Sequence, residues 1–162
     1  MQRMSVIGSL VACAMLALAC DSSTEAKVSY AASLSGANEV PAVTSSGTGS
    51  FTATLDANNV LTYSLTFSGL NSSATLAHIH GPASTTVSTG VLVDFNNAAA
   101  GRIITFGAPS GSGSGTIDLK LAATATVSGD SLRKLFDLGL TYVNIHSATS
   151  GGGEIRGQIV RQ

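Results

Sequence analysis

The chain has 162 residues, which is room for one domain with a real core and leaves little for a second. Charged residues make up only 10% of it, the formal net charge is −1 and no basic cluster occurs, so nucleic acid is excluded as an expected partner. Gly, Ser, Thr and Ala dominate, a mix that suits short strands and many turns rather than a helical bundle, while Leu, Val, Ile and Phe recur too often for a disordered chain.

The first segment, "MQRMSVIGSLVACAMLALAC", has Arg3 near its start, an apolar run from Val6 to Leu18 and small residues before Cys20. The run is shorter than the roughly 20 apolar residues that a membrane span needs, and a secretory signal over 1–19 fits it better. The context of Cys20 resembles a bacterial lipoprotein signal, which would make that cysteine the acylated first residue of an exported, lipid-anchored protein. Ala17 stands where leucine is usual, and Ala17-Leu18-Ala19 also satisfies the small-x-small rule for ordinary cleavage. The lipoprotein reading is preferred. It places the protein in the bacterial cell envelope, facing the periplasm or the exterior. Cys13 would leave with the signal and Cys20 would be the terminus, so no internal disulfide is expected. Residues 20–27, with the polar stretch "DSSTEA", read as a lipidated N-terminus and short tether, and 28–160 as the folded domain.

From there the chain alternates. In "GSFTATLD" Phe51, Ala53 and Leu55 share one parity, and in "VLTYSLTFSG" Leu61, Tyr63, Leu65 and Phe67 do, with Thr and Ser on the other. Period two with hydroxyls on the wet side marks half-buried antiparallel strands. "DANN" between them is a compact turn, so residues 47 to 68 should form a hairpin. Further strands are expected at Tyr30–Leu34, Leu76–His80, Gly90–Asp94, Ile103–Phe106, Gly115–Leu121, Tyr142–His146 and Glu154–Val160. "APSGSGSG" reads as a flexible loop. "SGDSLRKLFDLG" breaks the alternation: Leu132, Leu135, Phe136 and Leu138 have helical spacing, Asp130 or Ser131 could cap the start and Gly139 could end it. The sum is an all-β, antiparallel sandwich or flattened barrel with one short helix over an end.

Parity also aims the histidines, of which there are three. In "LAHIH" His78 and His80 share the face opposite Ala77 and Ile79; in "YVNIH" His146 shares the face of Tyr142 and Asn144, opposite Val143 and Ile145. Burying the aliphatic set turns all three imidazoles to the outside of the sheet, although Leu76 sits on the histidine parity. Same-face residues two apart are about 6.5–7 Å apart along a strand, and imidazoles leaning together can span that distance around a metal about 2.0–2.1 Å from each nitrogen. A bland alternative is strong at this point: three surface histidines bonded to loop backbone or water.

The ordered motifs "LSGANEVPAV", "LTYSLTFSGL", "AHIHGPA", "YVNIHS" and "GGGEIRGQI" resemble those of the CHRD (chordin-type) domain family, over roughly Val28 to Val160. That family is similar in turn to copper/zinc superoxide dismutases, which implies a Greek-key, immunoglobulin-like barrel. By motif order His78, His80 and His146 match three copper-ligand positions of those enzymes. The stretch "GPASTTVSTGVLVDF" lacks the bridging and zinc-binding histidines, so a dinuclear centre is excluded, and "GEIRGQI" lacks the disulfide cysteine. The resemblance therefore implies a non-catalytic binding or structural module of the cell envelope, with an extracellular protein or glycan as partner. The alternative is a mononuclear copper or zinc protein using the three histidines, with dismutase-like redox activity as its furthest extension. Glu39 in "NEVP" and Arg156 in "EIRG" are charges embedded in strand-like motifs, and a structural ion pair tying the first strand to the last is expected of them.

Overall fold

A computed structural model describes residues 27–97, 104–122 and 127–162. The expected signal segment and Cys20 lie outside the described residues. Eight antiparallel strands form one curled sheet: β1 (Val28–Ser35), β2 (Thr48–Leu55), β3 (Val60–Ser68), β4 (Ala74–His80), β5 (Val91–Asp94), β6 (Gly111–Asp118), β7 (Thr141–Ser147) and β8 (Ser150–Arg161). Their order across the sheet is β5-β4-β7-β8-β1-β2-β3-β6. Strand β3 thus pairs with β6 and β4 with β7, the crossover pattern of a Greek key. The curl brings the two ends of the sheet toward each other. Phe95, just past β5, packs on Phe51 and Tyr63 with ring centroids 6.3 and 4.8 Å away.

The alternation works as expected. Phe51, Leu55, Leu61, Leu65, Ile79, Val143, Ile145, Ile155 and Ile159 are all buried to 0% exposure, and every one lies on the parity that faces the inside of the curl. The "DANN" turn closes the β2–β3 hairpin, with Asp56 accepting from the backbone N–H of Asn58 and Val60 through its side chain. Asn59 takes the positive φ of 68° that the turn requires, a conformation asparagine tolerates better than most residues.

Two expectations fail along "APSGSGSGTIDLKLA". The first is the flexible loop: β6 begins at Gly111 and pairs with β3 through Gly111↔Phe67, Gly113↔Leu65 and Gly115↔Tyr63. Each of these glycines stands opposite a bulky core residue of β3, while Leu61 faces Ile117. A Cβ at Gly111 would meet the Phe67 ring at 2.7 Å, so the glycine leaves space for that ring. The second is the strand at Gly115–Leu121: it stops at Asp118, and a one-turn helix α1 (Leu119–Ala122) follows. The strand expected at Ile103–Phe106 is reduced to an isolated bridge, Ile104↔Gly113, with Ile103 outside the described residues.

The main helix α2 (Gly129–Asp137) covers one end of the barrel, as expected, burying Leu132 and Phe136. Its cap is Ser128 rather than Asp130 or Ser131: the Ser128 hydroxyl accepts from the Ser131 N–H at 3.2 Å. Gly139 ends it with φ of 64°. Tyr30 anchors the helix, its ring edge-on to Phe136 and its hydroxyl donating to Asp137 at 2.7 Å. No helix among the described residues is long and apolar enough to cross a membrane.

Candidate metal centre

Strand β7 lies between β4 and β8, with His78↔Asn144, His80↔Tyr142 and Asn144↔Arg156 in register. Because Ala77, Ile79, Val143, Ile145 and Ile155 face the core, the residues between them face outward. The three histidines therefore share the outer face of neighbouring strands, and one ligand nitrogen from each lies within 4.8 Å of the others. Leu76, on the same parity, is 39% exposed.

The face is outward but it is not open, which corrects the picture of surface histidines. His78, His80 and His146 are only 9%, 8% and 7% exposed. Segment 81–90 bonds to His80 through Thr89 O, the β7–β8 hairpin to His146 through Gly151 O, and segment 36–47 to Asn144 between them through Glu39. Segments 36–47 and 81–90 are tied by the Ser88 hydroxyl donating to Val40 O at 3.0 Å.

This roof sets the tautomers. A carbonyl oxygen has no proton, so His80 Nδ1 must donate to Thr89 O at 2.9 Å, and His146 Nδ1 to Gly151 O at 2.9 Å. In the neutral rings Nε2 of each is then a lone pair. His146 Nε2 accepts from His78 Nδ1 at 2.9 Å, whereas His80 Nε2 is buried with no partner. Across the β4–β5 hairpin Asp94 Oδ1 lies 3.7 Å from His78 Nε2. Burial depresses all three imidazole pKa values, that of His78 to about 4, with the neighbouring rings adding to the effect on His78 and Asp94 opposing it. Neutral, lone-pair-bearing imidazoles are what a transition metal needs.

Tyr142 lies between two layers of the site. The His80 ring stacks on it at 4.8 Å with an interplanar angle of 4°, and the Arg156 guanidinium carbon sits 3.5 Å from the Tyr142 centroid. Tyr142 and Asn144 were visible by parity beside His146. Asp94 and the carbonyls of Thr89 and Gly151 were not, because they depend on a hairpin register and on loop paths.

The expected Glu39–Arg156 ion pair is not formed. Among the described residues the ion pairs within 4.0 Å are His78–Asp94 and Arg161–Asp137. The first and last strands are indeed neighbours, with Ser35↔Arg156 in register, but Glu39 Oε1 accepts from Asn144 Nδ2 at 2.9 Å instead. Arg156 Nη2 donates to Ser84 O at 2.8 Å. The buried acid that does tie the ends together is Glu154. Its Oε1 accepts from the Ser45 hydroxyl and the Asn71 N–H, each at 2.6 Å. Burial opposes its ionisation, but hydrogen bonds from Ser147, Ser45 and Asn71 outweigh that and hold the carboxyl below its ordinary range.

The CHRD domain family matches residues 30–159, from the third residue of β1 to near the end of β8. The chain belongs to the CHRD domain family. Membership supports a binding or structural module. No curated protein matches the chain. No solved structure matches it either, so the likeness to superoxide dismutases stands on motif order alone.

Proposed function

We propose that this CHRD domain is an exported, cell-envelope-anchored binding module that holds one copper or zinc ion between His78, His80 and His146. The observation that carries the metal is His80 Nε2. It is buried and unpartnered while the same ring is held by Thr89 O, and a lone pair left bare in that position costs about 1–3 kcal/mol unless something uses it. His146 supports the reading, since its bond to Gly151 O leaves Nε2 as the ligating atom. To ligate through Nδ1, His78 would give up the proton it donates to His146 and carry one on Nε2 instead, on the side of Asp94. When bound, the ion would supply a Lewis-acidic centre, and divalent copper generally binds such donors more tightly than zinc. Anchoring rests on the apolar leader and Cys20. An extracellular protein or glycan remains the proposed partner class.

Calorimetry near pH 7 on metal-free protein should show one copper or zinc ion taken up per chain. His80→Ala should weaken that uptake by about tenfold or more, as loss of a ligand does, without unfolding the domain. Absence of stoichiometric uptake, or uptake indifferent to His80→Ala, would leave the cluster as a hydrogen-bonded structural network. Separately, mass spectrometry of the native N-terminus should find an acylated Cys20; an unmodified cysteine there would remove the anchor.

A further inference from the structure

On the Arg156 side of Tyr142 lies a cavity of about 350 Å³, walled by Ser33, Asn38, Glu39, Thr85, Arg156 and Gln158, with Ala37 at its rim. Two of these side chains are charged and deeply placed: Arg156 is 1% exposed and Glu39 8%. Neither is neutralised by direct contact with an opposite charge. The Arg156 guanidinium rests on the Tyr142 ring, and its Nη2 donates to Ser84 O at 2.8 Å and more weakly to Gln158 Oε1 at 3.4 Å. Its Nη1 is buried with no partner. The Gln158 amide nitrogen donates to Ala83 O at 2.8 Å and Gly139 O at 2.7 Å, which fixes the direction of its Oε1.

Buried charges are ordinarily paired, because neutral hydrogen bonds alone do not return what desolvation costs. Here a buried cation and a buried carboxyl line one cavity and act on each other's charge across it, without the direct ion pair that would satisfy either. We propose that the cavity binds a small zwitterion of the α-amino-acid class, its carboxylate toward Arg156 and its ammonium toward Glu39. Charge complementarity selects this class. A simple carboxylate would serve Arg156 but meet the Glu39 carboxyl, a simple amine would do the reverse, and a dianion such as phosphate would suit the pair least. The volume of about 350 Å³ suits a compact molecule. Ser33, Asn38 and Thr85 supply neutral polar groups around the entrance. This site is separate from the histidines and does not depend on a metal.

L-Alanine is a suitable probe, titrated calorimetrically into the purified protein beside acetate and ethylammonium, which carry one charge each. One L-alanine should bind per chain, at least about tenfold more tightly than either control. Glu39→Gln should erase the preference over acetate, and Arg156→Gln should abolish binding. Since a change at Arg156 could also unfold the protein, Ala37→Trp provides the second arm. It fills the cavity from its exposed rim, leaves both charges in place, and should abolish binding with the melting temperature unchanged. The proposal fails if no heat is seen at millimolar L-alanine, if acetate binds as well, or if binding survives Ala37→Trp.

Discussion

The two halves of the sheet carry the same alternation and put opposite things on its outer face. On β2, β3 and β6 the outward residues are hydroxyls in water: Thr52, Thr62, Ser64, Thr66, Ser112 and Ser114 are all exposed. On β4, β7 and β8 the outward residues at the centre of the face are His78, His80, Tyr142, Asn144, His146 and Arg156, all buried, and only margins such as Leu76 and Val160 are exposed. The difference is made by two loops. Val43 N–H closes back on Gly36 O at 2.9 Å, carrying Glu39 over β7, while Ser84 O and Thr89 O reach Arg156 and His80 from the other side. An uncovered face can consist of small hydroxyls because water satisfies them. A covered face has to satisfy each polar group from within, and the few atoms it leaves unsatisfied are where a ligand can act.

The sharpest way to break the comparison is to lift the roof at one atom. Gly153 has φ of 127°, and a Cβ there would collide with Asn144 Nδ2 and stand 2.6 Å from Glu39 Oε1. Gly153→Ala should destabilise the fold by about 2–4 kcal/mol, combining backbone strain with overpacking. Gly152, one residue away, has open space around its Cβ position, so Gly152→Ala should stay within about 0.5 kcal/mol. Denaturant melts of the two variants measure this. Equal effects would show that the hairpin packs loosely on the histidine face.

A second test uses protons. In metal-free protein the three histidines have folded pKa values below the ordinary 6.5, that of His78 about 4. Between those values the unfolded chain binds more protons than the folded one, so their contribution to stability is full above pH 6.5 and is lost as the pH falls toward 4. Glu39 has the opposite sign. Burial raises its pKa from 4.5 to about 7, with Arg156 and Asn144 opposing, so across that window the folded chain holds the extra proton and stability falls as pH rises. Melting temperatures from pH 4 to 8 should therefore drop on the acid side. In Glu39→Gln the acid drop should be steeper and the decline toward neutrality absent. A flat acid limb would mean that the imidazoles are solvated and the roof is open.

How much of this was legible in the sequence follows the same division. Parity alone put Phe51, Leu65, Ile79 and Ile145 inside and aimed His78, His80 and His146 together, because strand alternation is local and needs no knowledge of neighbours. The helix was legible from the spacing of Leu132 and Phe136. The Gly-Ser run at 111–115 was misread as a loop, because composition cannot show that each glycine stands opposite a large β3 side chain. The cover over the histidines was invisible for a related reason. Thr89 and Gly151 act through backbone carbonyls, which carry no residue signature, and Glu39 reaches Asn144 across 105 residues of chain. The expected ion pair failed on this last point: adjacent strands brought Glu39 and Arg156 to one cavity, and Asn144 and Ser84 took their nearest hydrogen bonds.

The smallest expected effect lies on the uncovered half, and it checks the comparison from the other side. Thr52 and Ser64 are directly opposite each other on β2 and β3, both exposed. Their side chains contribute β-propensity and a cross-strand contact, and water replaces any hydrogen bond lost. Thr52→Ala and Ser64→Ala should each change stability by no more than about 0.5 kcal/mol. The double variant should be close to additive, since a weak pair on a wet face has little to couple. Neither change should alter copper or zinc uptake, because among the described residues no hydrogen bond links this face to the histidines. A loss well above 1 kcal/mol, or a shift in metal affinity, would mean that the hydroxyl face is covered in solution by something that the isolated chain does not contain.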